Sequence, residues 1–281
     1  MNAKDMLDLL RDMVFEETAS HWSDVNLVRR LNIAQNKVTN RVAQSPGAWL
    51  VVSTSVTPSS SVITLPSDCA KPLYLEETSS GRPVRWLDGG INYRRVSREA
   101  GTSLGTAGSR EAYPLQSTIE VNQDSYSTAC TLWYQLRPPN LHCGTAASGS
   151  GASALVFAAD RNLVYVDDYY NNVTVEVVDQ TSSIVDIRST ISDYTASTHT
   201  AVITGTAAAS DTYGTIPRLP EEVHSLIVLE AAVLALLKPS SRIDEKVLQY
   251  YLGERKEERK LVDEFLASRV AGGGTAIGDP Y

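Results

Sequence analysis

Apolar residues recur at helical spacing at both ends of the chain and at strand spacing between them. Met6, Leu9, Leu10, Met13 and Val14 predict a short first helix. Ser20 to Asp24 interrupts it, and Ser23 or Asp24 can cap the next helix by accepting from its free N–H groups. Leu27, Leu31, Ala34, Val38 and Val42 then form one narrow apolar stripe, which Ser45-Pro46-Gly47 ends. The helical texture returns at Leu219-Pro220-Glu221-Glu222, where a proline and two acids suit a helix start. Ile227, Leu229, Ala231, Leu234, Ala235 and Leu237 are apolar nearly all round, which predicts a helix buried on most sides. A final helix is expected over 240–269, with Val247, Leu248, Tyr251, Leu252, Val262, Phe265 and Leu266 as its stripe. The charged run Glu254 to Lys260 reads as its solvated face, or as a source of interchain ion pairs if long helices pack side by side.

Between the helical ends the pattern predicts strands. Candidates are Leu50–Val52, Val62–Leu65, a hairpin of Leu73–Leu75 with Val84–Leu87, Ile119–Val121 and Leu132–Leu136, with Leu132, Tyr134 and Leu136 on one face. Residues 99–110 read as a long loop, and 144–154 as a flexible Gly/Ala/Ser linker. Leu163–Val166, Val173–Val178, Ile184–Ile191 and Ala201–Thr204 follow at the rhythm of a small sandwich or barrel. The expected fold class is α+β: a helical bundle of N- and C-terminal helices carrying two inserted antiparallel β modules. Residues 1–49 and 218–281 form the helical part, 50–142 the first β module, and 143–217 a linker plus an inserted sandwich or barrel.

Charge narrows the function. The net charge of −8 argues against gripping nucleic acid through a basic face, but suits a wall that phosphates slide past. The three cysteines Cys69, Cys130 and Cys143 are odd in number and lack CxxC, so no disulfide framework is expected. The start lacks a signal peptide's pattern, and Leu226–Leu237 is too short to span a bilayer, so a soluble chain is expected. His21, His142, His199 and His224 are scattered, with no HExxH and no GxSxG. Cys130, His142 and Cys143 lack a zinc knuckle's spacing. Asp160, Asp167, Asp168, Asp179, Asp186 and Asp193 lack a calcium-loop pattern and read as turn residues. No enzyme activity, metal or cofactor is expected.

Four segments resemble the head-to-tail adaptor (connector) proteins of tailed bacteriophages. They are Trp22-Ser23-Asp24 with Leu31-Asn32-Ile33-Ala34-Gln35; Leu65-Pro66-Ser67-Asp68; Leu132-Trp133-Tyr134-Gln135-Leu136 running on through Arg137-Pro138-Pro139-Asn140-Leu141; and Leu219 to His224 with the helices after it. Their order matches the family's, whereas the segment from Cys143 to Pro217 departs from it. The resemblance implies a virion protein of the phage neck, assembled in the host cytoplasm. It implies a homo-oligomeric ring, commonly of twelve copies, docked beneath the portal protein. Such a ring extends the DNA channel without sequence-specific binding and offers a platform to the tail or next connector.

Within that expectation, Gly273, Gly274, Thr275, Ala276, Ile277, Gly278, Asp279, Pro280 and Tyr281 are a candidate portal-docking tail. Leu27, Leu31, Ala34, Val38, Tyr251, Arg255, Arg259, Val262 and Phe265 are candidates for helix packing or the ring interface. The alternative is an adhesion or decoration protein whose second β module binds glycan or capsid through Tyr165, Tyr169, Tyr170 and Tyr194; those tyrosines otherwise fill a small core. A hydrolase would need a converging acid–base pair, which no spacing here supplies.

Overall fold

The computed structural model describes residues 1–15, 22–86, 110–122, 126–180, 184–237 and 245–271. The expected α+β class is what the chain adopts, with N- and C-terminal helices packed together and mainly antiparallel sheets between them. The chain divides into two compact units, one of residues 1–49 with 138–281 and one of 50–137.

The first unit holds the helices. Helix α1 (Ala3–Met13) opens on a capping box: Asn2 accepts from the Lys4 and Asp5 N–H groups, and Asp5 accepts from the Asn2 N–H. Helix α2 (Asp24–Gln44) is capped by Ser23, whose hydroxyl accepts from Asn26 N–H at 3.4 Å. A 3₁₀ turn (Glu221–Val223) leads into helix α3 (His224–Leu236). Pro220 therefore precedes a tight turn rather than opening the helix itself. Helix α4 (Glu245–Ala271) has 27 residues and is about 40 Å long.

Helix α3 is the hub, packing against α1, α2 and α4. Its lack of a polar face is explained by this: every face of Ile227 to Val233 has a neighbour, and all seven residues are buried. The stripe of α2 lies fully inside, with Leu27, Leu31 and Ala34 at 0% exposure.

The same unit contains a β-sandwich. One sheet has the order β11-β10-β14-β8, from Val185–Thr190, Thr174–Val178, Thr212–Thr215 and Cys143–Thr145. The other has β12 (Asp193–Thr195), β13 (Thr200–Thr206) and β9 (Ala152–Val156) in the order β12-β13-β9. Leu155, Phe157, Tyr170, Val175, Tyr194 and Tyr213 belong to one shared core, where Phe157 stacks on Tyr213 at 4.9 Å.

Two expectations need correction here. Leu163–Val166 is turn and irregular structure, not a strand, and leaves Tyr165 and Val166 exposed. Residues 144–154 are not a flexible linker, because most of β8 and most of β9 come from them. Their small side chains answer to packing. A Cβ on Gly144 would meet Ala158 Cβ at 3.1 Å and the Tyr213 hydroxyl at 3.5 Å.

The sandwich is joined tightly to the helices. Asn2 Nδ2 donates to Glu176 Oε2 at 2.7 Å, and Asn162 Nδ2 to the Val25 carbonyl at 2.9 Å. A Cβ on Gly214 of β14 would lie 2.6 Å from Asn2 Oδ1 and 2.7 Å from Lys4 N, so the start of α1 rests directly on this glycine.

The second unit has two sheets. Strand β7 (Cys130–Leu136) is flanked by β1 (Val51–Val56) and β3 (Cys69–Glu77), both antiparallel to it. Leu132, Tyr134 and Leu136 share the buried face, as their alternation predicts. The other sheet has the order β2-β6-β5-β4, from Val62–Thr64, Thr118–Val121, Arg110–Pro114 and Val84–Trp86. Strands β4 and β5 pair in parallel, a departure from the all-antiparallel expectation. The long connection between them permits a crossover that a tight hairpin does not. The loop expected at 99–110 lies outside the described residues, apart from Arg110.

Candidate functional site

Side-chain amides on α2 grip extended backbone. Asn32 Nδ2 donates to the Leu141 carbonyl at 3.1 Å, while its Oδ1 accepts from Leu141 N–H at 2.6 Å. One turn on, Gln35 Nε2 donates to the Pro139 carbonyl at 2.8 Å. These two side chains are buried, so each bond replaces one that water would otherwise make. The two-point grip on Leu141 mimics a strand partner and fixes where the sandwich begins. Within the second unit, Asp68 plays a related part: its carboxylate accepts from the Tyr134 hydroxyl at 2.9 Å, and its carbonyl from Arg137 N–H at 2.7 Å.

The opposite, outer face of α2 lines two adjoining cavities of about 350 and 250 Å³, which share Asn26, Arg29 and Ile33. Val25, Asn32, Asn36, Asn140, Arg161 and Asn162 complete the larger, and Trp22 and Arg30 the smaller. The Arg30 guanidinium lies 5.7 Å from the Trp22 ring centroid. Among the described residues, no carboxylate lines either cavity. The nearby acids are committed elsewhere, Asp24 to Arg11 and Asp160 to the backbone of Asn162 and Leu163. This groove is absent from the sequence-level candidates. Its signal is the recurrence of Asn26, Arg29, Ile33 and Asn36 at helical spacing on the face opposite the apolar stripe.

A buried polar chain runs through the sandwich. Ala158 N–H donates to the Tyr213 hydroxyl at 2.7 Å, which lies 3.0 Å from His142 Nδ1. His142 Nε2 faces Asp160 Oδ1 at 3.3 Å, without the alignment of a hydrogen bond. Burial holds the Tyr213 phenol well above its ordinary pKa. Burial works to raise the Asp160 carboxyl, but contact with His142 and two backbone N–H groups outweighs it and lowers the pKa. His142 is wholly enclosed at 0% exposure, and its ring stacks against Phe157 at 5.4 Å. The polar chain ties Ala158, Tyr213, His142 and Asp160 together inside the sandwich.

A second polar node joins α3 to α4. Glu230 is the sole acid of α3 and is buried; Arg259 Nε donates to its Oε1 at 2.6 Å, and Arg255 approaches its Oε2 at 3.7 Å. Arg255 and Arg259 are therefore engaged within the chain. Leu27, Leu31, Ala34, Val38 and Val262 are buried inside it, and Phe265 lies against Trp49 with ring centroids 5.0 Å apart. Tyr251 is half-buried on the same side of α4. The structure brings this set together as intrachain packing.

The tyrosine set does not come together as a platform. Tyr170 and Tyr194 are core residues at 0% and 1% exposure, and the Tyr169 hydroxyl accepts from Asn140 N–H at 3.1 Å. Tyr165 alone is open, with its ring edge-on to His199. Residues 273–281 and His21 lie outside the described residues. The aspartates serve turns: Asp167 accepts from Ala196 N–H at 2.7 Å and Asp168 from Asn171 Nδ2 at 2.8 Å. No cluster of metal-binding side chains occurs among the described residues. All three cysteines are free, and burial pushes the Cys143 thiol up to about 12. No described helix is long and apolar enough to cross a membrane. No family model matches the chain, and no curated protein matches it.

Proposed function

We propose that this chain is a structural adaptor of a phage neck. In this reading, copies assemble into a ring beneath the portal, extend the DNA channel and offer the tail its attachment platform. One observation carries the reading. Residues 104 to 109 positions apart, in the first and third of the segments that resemble the connector family, hold one another within the helical unit. Asn32 and Gln35 from the first segment bind the backbone of Pro139 and Leu141 from the third. His224 from the fourth binds its own leading turn through Leu219.

The net charge of −8 supports a wall that DNA passes without sticking. The glycan-binding alternative loses support because Tyr170 and Tyr194 are enclosed. Native mass measurement and negative-stain imaging, with and without purified portal, test the proposal. A closed ring that binds portal is expected; a monomer without affinity for portal would overturn it. Deleting residues 273–281 tests the tail's part separately: portal binding should weaken, and undiminished binding would remove the tail from the docking contact.

A further inference from the structure

We infer that the groove on the outer face of α2 is a docking site for an extended acidic peptide segment of a partner protein. The inference does not depend on the ring proposal. It starts from charge. The chain carries 33 acids against 25 bases, yet among the described residues this groove is lined by Arg29, Arg30 and Arg161 and by no acid. Arg29 and Arg161 have no ion-pair partner among the described residues. Guanidinium forks without an ion-pair partner select carboxylates, with which they form bidentate bonds.

The second argument is the amide chemistry. The side-chain carboxamides of Asn26, Asn36 and Asn140 make no hydrogen bond to any described residue. Each presents one acceptor and two donors, the complement of a peptide unit. The chain already uses α2 in this way in the lining of the larger cavity, where Asn32 clasps both backbone groups of Leu141. The outer row repeats those groups with nothing in their grip. Ile33, 37% exposed, offers an apolar foothold between the arginines.

Length is consistent with a peptide. Asn26 to Asn36 spans about 15 Å along α2 at ~1.5 Å per residue. At ~3.3 Å per residue, that accommodates roughly four to five residues of extended chain. Nucleic acid fits less well, since three arginines in a chain of net charge −8 supply few phosphate contacts.

The test uses the full chain and a fluorescein-labelled octapeptide of alternating Asp and Leu, read by fluorescence anisotropy at low and moderate salt. An Asn-Leu octapeptide, inorganic phosphate and a single-stranded oligonucleotide serve as comparators. The acidic peptide should bind at least tenfold tighter than its Asn counterpart. Binding should fall tenfold or more in the Arg29→Glu, Arg161→Glu double variant. In the wild-type chain, the side-chain amide signals of Asn36 and Asn140 should shift on titration. If the charge-reversed variant fails to fold, Asn36→Ala with Asn140→Ala and the wild-type amide shifts decide the matter. Equal binding of the two peptides, or acidic-peptide binding that leaves Asn36 and Asn140 unmoved, would overturn the inference. So would displacement by oligonucleotide or phosphate at lower concentration than by unlabelled acidic peptide.

Discussion

Replacing Gly214 by alanine should loosen the seat of α1 on the sandwich. The new methyl carbon would fall 2.6 Å from Asn2 Oδ1, 2.7 Å from Lys4 N and 3.1 Å from Ala3 N. Two of these three are backbone atoms, so no rotamer change relieves the overlap, and the start of the helix must move away. Overpacking of this kind costs about 1–3 kcal/mol, and disturbing the Asn2 cap adds about 0.5–2 kcal/mol. A net loss of about 2–4 kcal/mol is a large share of the ~5–15 kcal/mol that holds a domain folded. Urea denaturation followed by circular dichroism measures it, and hydrogen exchange at the Met6 and Leu7 amides locates it. Gly253→Ala is the control. It lies in α4 with nothing within 4 Å of the added carbon, so it should stabilise by up to about 1 kcal/mol. If Gly214→Ala were as stable as the wild type, the close approach of α1 to β14 would be refuted.

Arg259→Ala should destabilise the chain by about 2–3 kcal/mol, because it leaves the Glu230 carboxylate buried with only Arg255 nearby, allowing for solvent at the arginine end. Adding Glu230→Leu should restore most of that loss in the same denaturation assay; an additive double variant would mean that the two side chains do not interact. His224 gives a pH signature. Its Nε2 lies 3.2 Å from the Leu219 carbonyl and its Nδ1 3.2 Å from the Met1 amino group, and burial, then that ammonium charge, lower its pKa below 6.5. The folded chain therefore resists a proton that the unfolded chain accepts. Stability should be full above the ordinary histidine pKa and fall as pH drops below it towards the folded value. His224→Gln should flatten that slope between pH 7.5 and 5.5, and an unchanged slope would assign it to other groups.

The helices were legible because each has one physical cause visible in the chain. The α2 stripe, its Ser23 cap and the all-round apolarity of α3 follow from local spacing and from what a neighbour-enclosed helix requires. The strands β8 and β9 were hidden because Gly144, Gly149 and Gly151 resemble linker residues. At Gly144, at least, the cause is the close approach of Ala158, with the Tyr213 ring in contact beyond it, neither of which is visible in the local sequence. Tyr165, Tyr169 and Tyr170 were ambiguous for a related reason: residues 163–172 form turns and irregular structure, so no alternation fixes which rings point inward. The groove on α2 needed Asn140 and Arg161 beside Arg29, a juxtaposition that only the tertiary fold creates.

The hub position of α3 also governs the timing of folding. The α2 stripe at Leu27 to Val38 packs on a helix that begins only at His224. At synthesis rates of ~5–20 residues per second, that stripe waits roughly 10–40 s for its partner. Residues 50–137 meet no such delay, since β1, β3 and β7 all lie inside one contiguous stretch. The insert can reach its native pairing while the flanking helix still exposes Leu27, Leu31 and Val38 to solvent. A growing chain thus carries a finished unit beside an unsatisfied apolar face, and that face is where premature association between nascent copies would begin.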